Sequence, residues 1–151
     1  SQALARLGEQ APLCVVVGSM GTGQAGAALR PDPRLRFVGR VDDASLKALF
    51  LNAYAFVFPS LYEGFGIPPL EAMSCGCPVL ASNIAALAET CGDAALYFDP
   101  HDPDSLALAL RRLWSDESRR AAWIERGHRR LGSYSWDRTA RAHLDVIGEL
   151  L

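Results

Sequence analysis

Short apolar runs alternating with segments of helical character constrain this chain more than any other feature. Leu13 to Val17 (LCVVV) is rich in β-branched residues and ends at Gly18, the pattern of a strand buried on both faces of a parallel sheet. The same signal recurs at Leu35 to Val38, Ala55 to Phe58, Val79 to Ala81 and Ala94 to Phe98. Between these runs, Ala44 to Asn52 follows a candidate cap at Asp43, Pro68 to Ser74 opens with prolines that a first turn tolerates, and Ser105 to Trp114 reads as a helix. Strands alternating with helices predict an α/β fold built on a doubly wound parallel sheet. After Phe98 the strand signal stops, and Asp104 to Leu151 reads as consecutive helices, with Leu106, Leu110, Leu113 and Trp114 at helical spacing. Ser1 to Gln10 reads as the last turns of a helix with no cap in front of it, so the expectation is a single domain over residues 1–151, truncated on its N-terminal side.

Composition excludes several function classes. A length of 151 residues suits one hydrophobic core. A formal net charge of −2 supplies no basic field for gripping nucleic acid. The longest apolar runs fall far short of the roughly 20 residues that span a bilayer, and no signal-peptide pattern opens the chain, so a cytoplasmic location is the default. Cys14, Cys75, Cys77 and Cys91 show no Cys-x-x-Cys spacing and read as reduced, small, buried residues, with no metal expected.

In open α/β sheets, ligands bind beyond the carboxyl ends of the strands, which directs attention to the loops after Val17, Val38, Phe58 and Ala81. The loop after Phe58 stands out. Residues 59–78 read PSLYEGFGIPPLEAMSCGCP, with seven residues between Glu63 and Glu71. Gly64 and Gly66 let the backbone approach a ligand closely, and a helix starting near Ile67 or Pro68 places Glu71 in its first turn. The free N–H groups of Gly66, Ile67 and their neighbours then make an anion site fit for a pyrophosphate. Two carboxylates beside an anion site are unsuited to the phosphates but suited to accepting hydrogen bonds from sugar hydroxyls. The plainer reading makes Glu71 a helix-dipole partner and Glu63 a solvated loop residue.

The string E-G-F-G-I-P-P-L-E, preceded by P-S and followed by A-M-x-C-G-x-P-V, resembles the donor-site motif of the large family of retaining glycosyltransferases that includes bacterial mannosyltransferases and sucrose and glycogen synthases. FVGRVDD at Phe37 to Asp43, Ser82 and Asn83 with Glu89 downstream, GDAALYFDPHDPDSLA from Gly92, and YSW at Tyr134 to Trp136 resemble further landmarks of that family in the same order. The resemblance implies a Rossmann-like C-terminal half of a two-domain GT-B enzyme, with the acceptor domain absent from this chain. It makes Glu63 the catalytic acidic contact to the donor sugar, and it makes the amides of Gly64, Phe65, Gly66 and Ile67 the cradle for sugar hydroxyls and diphosphate. Glu71 becomes the ribose contact, while Arg40 and Val41 lie against the nucleobase. For Asp43, capping and the reading of guanine's paired N–H donors both stay open.

The implied substrates are a nucleotide diphosphate sugar, with GDP-mannose the candidate, and a sugar or lipid-linked acceptor in surface polysaccharide or glycolipid synthesis. No metal or other cofactor is expected. The implied partners are the N-terminal domain of the parent enzyme and, weakly, the inner face of the membrane. Diphosphate-clamping Arg and Lys residues of the family would lie before Ser1, so the isolated chain is expected to be inactive. The alternatives are a non-catalytic nucleotide-binding or assembly module, and a nucleotide-sugar epimerase of the same fold.

Three other features carry less. Gly21 to Gly26 (GTGQAG) matches a dinucleotide fingerprint, but Pro31 and Pro33 leave no room for its helix, and it reads as a loop on the ligand side. His101, His128 and His143 share no spacing suited to a metal or a triad. Arg119, Arg120, Arg126, Arg129, Arg130, Arg138 and Arg141 exceed their acidic neighbours, which reads as a solvated helical face or as a surface with weak attraction for anionic lipid.

Overall fold

The computed structural model describes residues 1–18 and 32–150. Helix α1 (Gln2–Leu7) and a 3-10 turn precede strand β1 (Cys14–Val17), and β2 (Leu35–Gly39) runs parallel to it, with Cys14 opposite Leu35. Helix α2 (Asp43–Asn52), β3 (Phe56–Phe58), α3 (Ile67–Ser74), β4 (Val79–Ser82), α4 (Ala85–Cys91) and β5 (Ala95–Phe98) then alternate. Strands β3, β4 and β5 form a second parallel ladder with β4 in the middle, pairing Phe56 with Val79 and Val79 with Ala95. The expected parallel α/β, Rossmann-like architecture is present, its described strands falling into a pair and a triplet.

Alternation along β4 shows why the triplet is buried on both faces. Val79 and Ala81 enter one apolar cluster with Phe50, Ala72, Met73 and Leu87, while Leu80 enters the other with Leu4, Leu7, Leu110 and Leu113. A strand with helices on both faces needs apolar side chains in both directions, which produces the unbroken run PVLA. β1 and β2 depart from this expectation. Cys14 and Leu35 pack on the second cluster, but Val15 and Val17 are about 40% exposed because the first cluster does not extend over them. Burying both faces takes two helix layers, and among the described residues the β1–β2 pair has one.

Helices α5 (Pro103–Trp114), α6 (Glu117–Leu131) and α7 (Trp136–Glu149) complete the chain. Asp102, Asp116 and Ser135 cap them, each side chain accepting a backbone N–H of the first turn. α5 packs on α1 and β5, and α6 on α3. Gly127 allows the second contact, because a Cβ there would sit 3.1 Å from Met73 Cγ. All four cysteines are free. Cys77 and Cys91 are buried as expected, whereas Cys14 and Cys75 are only half-buried. No helix among the described residues is long and apolar enough to cross a membrane.

Candidate functional site

The loop from Pro59 to Gly66 connects the carboxyl end of β3 to α3. Its first anchor is Ser60, whose hydroxyl lies 2.8 Å from Glu63 Oε1 and 3.1 Å from the Tyr62 carbonyl. Glu63 is half-buried and held by that contact, so it is not the freely solvated residue of the plainer reading. Gly66 then adopts φ 94° and ψ 58°, a left-handed conformation that favours glycine, and starts the helix at Ile67.

Helix α3 begins with a reduced set of free donors. An α-helix leaves its first four N–H groups without intrahelical partners, and Pro68 and Pro69 delete two of them. What remains is the pair Gly66 and Ile67, preceded by the loop amides of Gly64 and Phe65. None of these four N–H groups has a protein acceptor among the described residues. Neutral donors at a positive helix end are the chemistry that an anion site requires, and a carboxylate lies beside them.

Glu71 requires a correction. The helix starts at Ile67, so Glu71 is its fifth residue, past the first turn that the sequence reading assigned it. Its carboxylate is exposed and has no hydrogen-bond or ion-pair partner among the described residues, and only its backbone carbonyl is engaged, by Ser74. A helix-dipole role, which decays within the first turn, is thereby weakened.

Asp43 is corrected more sharply. The cap of α2 is Asp42, extended at φ −75° and ψ 167°, whose carboxylate accepts the Ser45 N–H at 2.8 Å. That backbone hydrogen bond holds the Asp42 carboxyl below its ordinary range. Asp43 occupies the first helical position with its exposed carboxylate uncommitted among the described residues. Arg40 is exposed and Val41 half-buried in the turn after left-handed Gly39, whose carbonyl accepts the Gly18 N–H at 2.8 Å.

The sequence-derived residues therefore fall in two groups. Glu63 to Ile67 and Glu71 lie at the carboxyl end of β3, and Arg40, Val41 and Asp43 lie at the carboxyl end of β2. No hydrogen bond or ion pair links the groups among the described residues. They are related through the core instead, since Leu46 and Phe50 of α2 pack in one cluster with Ala72 and Met73 of α3.

Three residues behind the loop escaped the sequence reading in this role. Thr90, buried in α4, donates its hydroxyl to the Phe65 carbonyl at 2.6 Å. Tyr134 meets the Phe65 ring edge-on at 5.6 Å and donates to the Thr90 carbonyl at 3.0 Å. Arg130 reaches the Thr90 carbonyl at 2.8 Å, the Glu89 carbonyl and the Tyr134 hydroxyl. The sequence groups Arg130 with a basic helical face, and its one signal for this contact is a polar Thr between Leu87 and Cys91 on the buried stripe of α4. Four other arginines of that stretch also have protein partners: Arg120 stacks on Tyr54, Arg126 on Trp123, Arg138 donates to the Ser133 carbonyl at 2.7 Å, and Arg119 lies 3.9 Å from the Asp116 carboxylate.

The remaining motifs add no chemistry here. Gly21 to Gly26 lies outside the described residues. His101, His128 and His143 are exposed, with the His143 Nδ1 2.8 Å from the Thr139 carbonyl. No three His, Cys, Asp or Glu residues cluster with metal-site geometry among the described residues.

Comparison with known proteins places these features in a wider set. The family model "Glycosyl transferases group 1" matches residues 2–130. O-antigen chain mannosyltransferase B of Escherichia coli is 44% identical over 103 residues, which make up 68% of this chain and 27% of that protein. D-inositol 3-phosphate glycosyltransferase of Salinispora tropica is 38% identical over 125 residues, or 82% of this chain and 26% of that protein. Sucrose-phosphate synthase of Thermosynechococcus elongatus superposes with a TM-score of 0.79 at 27% identity, covering 99% of this chain and 41% of that one. The chain thus spans about a quarter of the length of these curated relatives.

Proposed function

The chain belongs to the glycosyl transferases group 1, and on that premise we propose that it is the donor-binding domain of a retaining, metal-independent glycosyltransferase. The parent enzyme moves a sugar from a nucleoside diphosphate to an acceptor hydroxyl in surface polysaccharide or glycolipid synthesis. Mannose from GDP-mannose is the favoured donor, supported by the likeness to the O-antigen mannosyltransferase. The acceptor-side half of the cleft belongs to the N-terminal domain of the parent, which works at the cytoplasmic face of the membrane on a sugar or lipid-linked acceptor.

The observation that carries this reading is the pairing of a half-buried, Ser60-held Glu63 with the uncommitted amides of Gly64, Phe65, Gly66 and Ile67. A donor sugar offers hydroxyl donors to the carboxylate, and the diphosphate offers acceptors to the amides. During transfer the bond from the sugar's anomeric carbon to the diphosphate breaks, and negative charge grows on the departing oxygens. Fixed N–H dipoles at a helix start stabilise that charge without reorganising. Glu71 binds the ribose hydroxyls, Arg40 and Val41 face the base, and Asp43 accepts from guanine.

A turnover assay with GDP-mannose, run on this chain and on the intact parent enzyme, tests the proposal alongside calorimetric titration. The chain alone should bind nucleoside diphosphates weakly and transfer nothing, while the parent transfers sugar and loses that activity on Glu63→Gln. Robust transfer by the chain alone would sink the half-enzyme reading, and an active Glu63→Gln parent would remove Glu63 from the chemistry.

A further inference from the structure

The hydrogen bond from Thr90 to the Phe65 carbonyl joins α4 to a loop 25 residues earlier in the chain. A helical threonine hydroxyl ordinarily bonds a carbonyl of its own preceding turn. Here it reaches outward at 2.6 Å, from a side chain 2% exposed, to fix one peptide plane of the loop. The Phe65 carbonyl and the Gly66 N–H belong to the same planar trans peptide and point in opposite directions. Holding the carbonyl against α4 therefore aims the Gly66 N–H away from α4. Gly66 is itself buried, and its N–H has no acceptor among the described residues, which suits it to donate to a bound ligand.

Thr90 is in turn held from behind. Its own carbonyl accepts from Arg130 Nε and from the Tyr134 hydroxyl, and the Arg130 guanidinium lies 5.3 Å from the centre of the Tyr134 ring. Gly92, at the end of α4, leaves the space that the guanidinium uses, because a Cβ there would sit 3.3 Å from Arg130 Cζ. Tyr134 closes the circuit by packing edge-on against Phe65 itself. Parts of α6 and of the turn before α7 thus brace Thr90, through which α4 holds a single peptide of the loop.

We propose that Thr90, braced by Arg130 and Tyr134, is a positioning residue that sets the direction of the Gly66 amide toward the donor diphosphate. The role presupposes nucleotide-sugar binding at Glu63 to Ile67. Thr90 touches no substrate; it acts through the Phe65–Gly66 peptide. Removing its hydroxyl leaves that peptide free to rotate, so a bound diphosphate meets a misdirected donor.

The test compares Thr90→Val, which keeps the shape and deletes the hydroxyl, with Thr90→Ser, which keeps the hydroxyl. Titration of the full chain with GDP, GDP-mannose, UDP and UDP-glucose is combined with amide NMR of the ligand-free protein. Thr90→Val should weaken the bound nucleotides by about three- to tenfold, the range for one lost hydrogen bond. It should also shift the Gly66 and Ile67 amide signals and speed their hydrogen exchange, whereas Thr90→Ser should behave as the parent does. Parent-like affinity in Thr90→Val, or loss of affinity in Thr90→Ser equal to that in Thr90→Val, overturns the positioning role while leaving nucleotide binding intact. If the unmutated chain binds none of the four nucleotides, the donor-site reading falls and the positioning role falls with it.

Discussion

Gly66 and Leu87 are packed so closely that a Cβ on Gly66 would collide with Leu87 Cδ2. The glycine opens α3, the leucine is fully buried in α4, and the left-handed φ of 94° at Gly66 is one that L side chains rarely adopt. Conformation and space both demand glycine at this point of the loop.

Gly66→Ala should therefore destabilise the protein by about 2–5 kcal/mol, combining the left-handed penalty of ~1–2 kcal/mol with overpacking of ~1–3 kcal/mol. Denaturant unfolding measures the total. Adding Leu87→Ala to it should recover the overpacking part relative to the sum of the two single changes, because the double variant keeps the conformational strain and the lost burial of Leu87 but no longer has the clash. Strict additivity would mean that the two residues do not compete for space.

Asp42→Ala should cost about 0.5–2 kcal/mol of stability, since Asp42 supplies the cap of α2 through the Ser45 N–H. Asp43→Asn should leave stability within a few tenths of a kcal/mol, because Asp43 caps nothing. If Asp43 reads guanine, the same change should narrow the preference for GDP over UDP. Thermal melts and titrations on both variants separate the effects, and an unchanged base preference would take Asp43 out of the site.

Glu71→Ala should weaken nucleoside diphosphate binding by about 1–3 kcal/mol while barely moving the melting temperature. The side chain is exposed and unpartnered among the described residues, so folding has little to lose. A fall in stability without a change in affinity would return Glu71 to a purely helical role.

Tyr97 sets an alkaline limit. Its hydroxyl donates to the Gly92 carbonyl at 2.6 Å, and burial, reinforced by Cys91, pushes it up to about 12. A pKa raised by folding contributes stability that is fully present below the unfolded value of about 10 and is lost as pH climbs toward 12. Cys77 and Cys91, pushed up by burial to about 11, act in an overlapping range. The readout is thus the difference between the parent and Tyr97→Phe. The variant should lose less stability between pH 10 and 12 than the parent does.

The amino-acid pattern alone determined the parallel α/β architecture, the run of C-terminal helices and the span of the loop between β3 and α3. These follow from local rules: strands buried on both faces need unbroken apolar runs such as Val79 to Ser82, and a glycine followed by prolines marks where α3 must begin. Tertiary structure decided what depends on contacts distant in sequence. Asp42 rather than Asp43 caps α2 because the backbone turns into the helix one residue earlier than the pattern indicates, and boundaries shift by a residue or two wherever packing sets them. Val15 and Val17 are exposed because coverage of a strand depends on which helices fold over it, which its own residues do not encode. Thr90 meets the Phe65 carbonyl and Tyr134 the Phe65 ring, with Arg130 bracing both from behind, only after α4 and α6 have packed beside α3. A hydrogen bond between residues 25 apart leaves no periodicity in the sequence, so the support of the loop was invisible there although the loop itself was not.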